Sequence, residues 1–151
     1  MSTYQPVDEA ASSGELPYHL AALGVVLPSL LVFILMDVAW IALVAGPLFK
    51  KVLGPLMRPQ PGILAGLLAW LIIVTGVWYF AAAAARTPQR ALTQGLLLGA
   101  VIYGTYELTN TSVISTWTWS LAAADMAWGS FACGMAALTQ QQLQRVWLMR
   151  R

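Results

Sequence analysis

From Gly62 to Ala85 the chain carries no charge, and three further stretches come close to the same condition. A helix needs about 20 apolar residues to cross a hydrocarbon core about 30 Å thick. In lipid each backbone N–H and C=O must be satisfied within the spanning structure, so only helices and closed barrels qualify. The four runs cover about 18–45, broken by Asp37; 62–85; 91–110, with Glu107 near its end; and 118–139, with Asp125 inside. They are apolar all round, and alternating barrel strands of about 10 residues are absent. The expectation is an all-α integral membrane protein, a bundle of four transmembrane helices.

Composition narrows the function classes. Only 9% of residues are charged and 59% are hydrophobic, against about 25% and 45–50% in an ordinary soluble domain. That excludes a soluble enzyme, a disordered chain and a nucleic-acid binder; the eight Lys and Arg residues form no basic stripe. The single Cys133 allows no internal disulfide and no metal spacing. The first run is too long for a cleavable signal, and its flank is acidic (Asp8, Glu9, Glu15) rather than basic.

The segments between the runs predict the layout. Residues 1–17 form a polar acidic tail, 18–139 the membrane domain and 140–151 a basic interfacial tail. Residues 46–61 mix Lys50, Lys51, Arg58 and four prolines with apolar residues, which predicts a short amphipathic segment at the headgroups between helices 1 and 2. Arg86 to Arg90 is a tight basic turn, and Thr111 to Trp117 is uncharged. An even number of spans puts both termini on one side, with Arg86, Arg90, Arg145, Arg150 and Arg151. The other side holds Lys50, Lys51 and Arg58, so the positive-inside rule places the termini in the cytoplasm. The small-residue pairs Gly62/Gly66, Gly95/Gly99 and Ser130/Gly134 predict close helix contacts within the bundle.

The chemistry rests on Asp37, Glu107 and Asp125. An acid inside a span costs about 2.5–3.5 kcal/mol on insertion scales, so such residues face an interior and carry a role. At 1.5 Å per residue they lie about 12, 5 and 10 Å below the same surface. Trp40 and Trp128 each follow an aspartate by three residues, on the same helix face. The strings DVAW and DMAW echo each other. Tyr103, Tyr106, Glu107 and Asn110 form one stripe on the third span. The second span offers nothing polar and is expected to pack outside this cluster.

Apart from His19 at the other end of the first span, no Lys, Arg or His lies within the spans. Two carboxylates about 8 Å apart repel by about 2 kcal/mol at an effective dielectric of 20, so at least one acid is expected to hold its proton unless a cation or a partner's base enters. Asp37, Trp40, Tyr103, Tyr106, Glu107, Asn110, Asp125 and Trp128 are therefore the candidate ligand- or partner-binding residues. Three readings stay open: a lock holding the bundle, a site for protons or a cationic solute, and a contact for a partner subunit, pigment or lipid. His19 is a weak candidate metal or porphyrin ligand. Trp70, Trp78, Trp117, Trp119 and Trp147 read as aromatic-belt residues. No hydrolase elbow, P-loop, zinc spacing or paired-histidine motif is present, so no catalytic residue and no cofactor is implied.

Four segments together resemble a known family: Met36-Asp37-x-x-Trp40, the loop GPLFKKVLGPLMR, Tyr103-x-x-Tyr106-Glu107-Leu108-Thr109-Asn110, and Asp125-Met-Ala-Trp128-Gly129. The family comprises small predicted bacterial membrane proteins and is catalogued as domain of unknown function 2177. The similarity covers about Leu30 to Ala137. Members often carry Asp where this chain has Glu107. The resemblance implies four spans and an acidic–aromatic motif set, and no activity.

The leading expectation is a non-catalytic accessory or scaffold subunit whose partners are membrane lipid and other membrane subunits or a second copy. The alternative is a small proton- or cation-coupled transporter using Asp37, Glu107 and Asp125, similar in plan to small multidrug resistance transporters although the motifs differ. An enzyme acting on lipid would need a nucleophile or metal set that the sequence lacks.

Overall fold

The computed structural model describes residues 18–149, with side chains described from 23 to 146. The expected acidic tail, the His19 side chain, Trp147 and the final arginines lie outside those described residues. Helices account for every regular element among the described residues. Three helices are long and apolar enough to cross a membrane: Leu23–Leu56, Ile63–Ala82 and Trp119–Val146.

The first of these does not stop where the prolines suggested. Helix α1 (Tyr18–Trp40) passes through a wide π turn (Ile41–Ala45) into α2 (Gly46–Leu53) and a short 3-10 turn (Gly54–Leu56). Proline lacks an N–H and clashes one turn back, which ends most helices. Here Pro47 stands in the first turn of α2, and the Gly46 N–H reaches back to the Ile41 carbonyl. Only glycine fits there, because a Cβ on Gly46 would lie 2.6 Å from that oxygen. The amphipathic segment is present as α2, but its apolar side meets its own chain rather than headgroups alone. Leu48, Phe49, Val52 and Leu53 pack on Trp117, Leu121 and Ala122.

Helix α3 (Ile63–Val77) also ends in a π turn (Trp78–Ala82). Helix α4 (Pro88–Val113) starts where the Thr87 hydroxyl accepts the Arg90 N–H at 3.2 Å, with Pro88 in the first turn. It covers the third expected run, yet it is not among the helices apolar enough to span. Thr93, Gln94, Tyr103, Thr105, Tyr106 and Glu107 reduce its hydropathy. Helix α5 (Trp119–Met149) opens on Thr118, whose hydroxyl accepts the Leu121 N–H. It runs well past Thr139, so the expected separate tail from residue 140 is the last part of a helix. Gln140 is fully buried there, donating to Ser29 Oγ at 3.0 Å and to the Val74 carbonyl at 2.9 Å. Arg145 donates to the Arg86 carbonyl at 3.0 Å, tying that end of α5 to the turn before α4.

Helices α4 and α5 form the closest pair. A Cβ on Gly95 would sit 2.6 Å from Ala137, and one on Gly99 2.5 Å from the Gly129 carbonyl. A Cβ on Gly134 would meet Leu96 at 2.9 Å. Two of the three small-residue pairs thus let backbones approach, as expected. Gly66 meets nothing within 4 Å, so the Gly62/Gly66 pair does not. The core gathers Val25, Phe33, Val74, Val77, Trp78 and Cys133. Helix α4 packs against the π turn that ends α3 rather than along α3 itself. Residues of α1, α3, α4 and α5 surround the space that Asp37 and Asp125 line.

Candidate functional site

Asp37, Glu107 and Asp125 are 7%, 0% and 6% exposed, so none of them faces lipid. Each is held by an indole N–H. Trp70 Nε1 donates to Asp37 Oδ2 at 2.6 Å and Trp128 Nε1 to Asp37 Oδ1 at 2.8 Å. Trp40 Nε1 donates to Asp125 Oδ1 at 3.0 Å, and Trp117 Nε1 to Glu107 Oε2 at 2.7 Å. Hydrogen bonds onto a carboxylate are shorter and roughly twice as strong as neutral ones. A buried indole needs such an acceptor, because its N–H has no other outlet in an apolar interior.

The Asp-x-Ala-Trp echo has a geometric meaning. Asp37 of α1 binds Trp128 of α5, and Asp125 of α5 binds Trp40 of α1. The two helices run antiparallel in this register, so one motif meets its own copy head to tail. The Trp40 and Trp128 rings stack between the two acids, with centroids 4.9 Å apart and planes at 6°. Gly129 completes the arrangement: a Cβ there would overlap the Tyr103 ring.

A cavity of about 350 Å³ opens beside this clasp. Asp37 and Asp125 form its polar part, and Trp40, Trp70, Tyr103 and Tyr106 form its aromatic walls. Ala69 and Ile73 line it from α3. Of the residues singled out in the sequence, Asp37, Trp40, Tyr103, Tyr106 and Asp125 line the cavity. Trp128 belongs to the clasp but does not line the cavity. Glu107 is wholly buried and does not line the cavity. Oε1 of Glu107 meets no N–H or O–H donor among the described residues. Asn110 is half-buried outside the cavity, and its Nδ2 meets no acceptor.

Two expectations are corrected. The second span is not outside the cluster, since Trp70 of α3 holds Asp37 and walls the cavity. Trp70 and Trp117 are therefore site residues rather than belt residues; Trp78 is also buried, in the core. The sequence signal was faint: a tryptophan deep in a charge-free run needs an acceptor, and only three acids are within the spans. Gln140 and Ser29 were missed altogether because both sit among residues that read as filler. Among the described residues no three His, Cys, Asp or Glu side chains converge as metal ligands. Each acid is held by an indole N–H instead.

Helices of this length and apolarity, closed around a carboxylate–indole core, define the class as a helical integral membrane protein. A family model described as predicted membrane protein (DUF2177) matches residues 22–141. The chain belongs to that family, as the Asp37–Trp40, Tyr103–Asn110 and Asp125–Gly129 blocks suggested. No curated protein and no solved structure matches it.

Proposed function

We propose that this protein binds a small organic monocation from the membrane phase, as a carrier rather than an enzyme. The observation that carries this reading is the cavity itself, in which two acids share a chamber with five aromatic side chains, Phe49 of α2 among them. Its volume of about 350 Å³ falls at the small end of ligand pockets. Both oxygens of Asp37 accept N–H bonds, which is how a carboxylate behaves. Among the residues that line the chamber there is no Lys, Arg or His, so its acids meet no cationic side chain in the lining. Indole and phenol faces attract cations, most strongly where water is excluded. An occupant with positive charge and an apolar body satisfies both surfaces at once.

In this reading α4 is a fourth span: Tyr103 and Tyr106 line the chamber, Glu107 is buried, and the exposed Thr93 and Thr105 hydroxyls are satisfied by the Gln89 and Val101 carbonyls of their own helix. Both termini then lie on the cytoplasmic side, and the partners are lipid and the ligand. The accessory-subunit reading rests on the missing catalytic set and gains no observation from the fold.

Equilibrium binding of tetraphenylphosphonium to the purified protein in detergent tests the proposal. Saturable binding that quenches tryptophan emission is expected, with affinity reduced at least about tenfold, ~1.4 kcal/mol, in Asp125→Asn. Absence of saturable binding in the parent would end the carrier reading. If the parent instead purified in a fixed ratio with other membrane subunits, the accessory reading would replace it.

A further inference from the structure

We propose that the chamber takes the head of a single-chain cationic amphiphile, a long-chain alkylammonium, while the alkyl chain stays in the bilayer. The proposal rests on the cation-site reading above and adds to it the class of ligand and its side of entry. The lining is not equally covered all round. Its two acids, Asp37 and Asp125, are buried. Toward the membrane surface stand Ala45, which is buried, and Phe49, whose ring packs on Trp117 with centroids 5.5 Å apart. Three lining residues stay exposed: Ile41 (41%) where the π turn after α1 begins, Ala69 on α3, and Tyr106 (53%) on α4.

In the four-span reading, what those three residues meet is lipid. Ile41 and Ala69 lie in helices long and apolar enough to cross a membrane, Leu23–Leu56 and Ile63–Ala82. Ala69 is six residues into α3 and Tyr106 seven from the end of α4, which at 1.5 Å per residue is about 9 and about 10 Å from those helix ends. Both ends then lie at one membrane surface, so the open side of the chamber is level with acyl chains. Helix α4 packs against the π turn that ends α3 rather than along α3 itself, so neither helix covers the other at Ala69 and Tyr106. Leu68 and Ile72, exposed beside Ala69 on α3, add apolar surface there. An occupant entering on this side crosses hydrocarbon rather than water. A compact ammonium has no apolar body to carry it there, and a neutral lipid gives the two acids nothing to hold. One alkyl chain with an ammonium head meets both conditions. The head lies against Asp37, Asp125 and the aromatic faces. The chain passes Ile41, Ala69 and Tyr106 into lipid and keeps its apolar surroundings.

The test uses the full chain in phosphatidylcholine nanodiscs loaded with tetraphenylphosphonium. Dodecyltrimethylammonium should displace it at a concentration at least about a hundredfold below that needed with tetramethylammonium, because the chain carries the head to the open side. A nitroxide on the dodecyl chain then locates it. Fluorophores are placed at Ile72→Cys, one turn from Ala69, and at Ala127→Cys, exposed on α5; Cys133 is buried and stays unlabelled. Ile72 is nine residues into α3 and Ala127 eight into α5, so their depths match within about 2 Å. The bound nitroxide should quench the first fluorophore more than the second, and excess tetraphenylphosphonium should remove that difference. Tetraphenylphosphonium that dodecyltrimethylammonium does not displace, equal potency of the two ammonium ions, or equal quenching at both positions would each overturn this proposal and leave the cation-site reading standing. Binding of neither tetraphenylphosphonium nor dodecyltrimethylammonium would overturn both. The displacement measurement needs no substitution and stands where a cysteine variant does not fold.

Discussion

Trp70 shows how one atom can decide a side chain's role. Its ring area would serve equally well facing lipid, but its N–H is 2.6 Å from Asp37 Oδ2. Trp70→Phe keeps most of the apolar surface and removes that donor. A hydrogen bond onto a charged group is worth about 1.5–3 kcal/mol, so thermal unfolding in detergent should register a loss of that size. Trp119→Phe is the control, because Trp119 is 71% exposed and outside the cluster; its melting temperature should stay close to the parent's. Equal effects of the two substitutions would mean that the indole–carboxylate bond does not stabilise the fold. At this scale the sequence was legible for the acids and for Trp40 and Trp128, because charge inside an apolar run stands out and a three-residue spacing fixes a helix face. It was not legible for Trp70 and Trp117. A tryptophan in an apolar run looks the same whether its N–H meets a headgroup or a carboxylate on another helix.

The helices repeat that contrast. The start of α4 at Thr87-Pro88 follows from local chemistry, since a hydroxyl cap and a proline need only their own neighbours. The continuation of α1 through Pro47 does not. It needs a π turn that sets Gly46 against the Ile41 carbonyl, and α2 is held in place by Trp117 and Leu121 from the far end of the chain. The end of α5 was misread for a similar reason. Gln140 looks like the beginning of a polar tail until Ser29 and Val74 are beside it. Glycines give the sharpest test at this scale. Gly129→Ala would drive a methyl into the Tyr103 ring at the α4–α5 contact, and Gly66→Ala meets open space. Folded yield should fall sharply for the first. For the second it should hold or rise, because alanine is better than glycine inside a helix by about 0.5–1 kcal/mol. A tolerated Gly129→Ala would mean that α4 and α5 do not pack as described.

For the whole molecule, the count of spans sets the sidedness. Three helices satisfy length and apolarity, and α4 is proposed as the remaining span on the ground that Glu107 is buried and its exposed Thr93 and Thr105 hydroxyls bond carbonyls of their own helix. A reporter fused after Arg151 should then report the same side as one fused before Tyr18, with a reporter near Lys50 on the opposite side. Opposite sides for the two ends would remove α4 from the set of spans and with it the four-span layout. The bundle was visible in the sequence because lipid imposes its length and apolarity on each helix separately. The cavity was not, because it depends on how side chains from α1, α3, α4 and α5, far apart in the chain, come together.

The central claim, that the cavity beside the Asp37–Trp128 and Asp125–Trp40 clasp is the binding site, is tested most directly by filling it. Ala69 lines the cavity from α3 and takes no part in the carboxylate–indole bonds. Ala69→Phe should occupy the chamber while leaving those bonds in place. Calorimetric titration of tetraphenylphosphonium into this variant should show binding lost or weakened by at least about tenfold, ~1.4 kcal/mol, with a melting temperature within a few degrees of the parent's. A stable Ala69→Phe protein that bound the cation as tightly as the parent would place the site elsewhere and contradict the account.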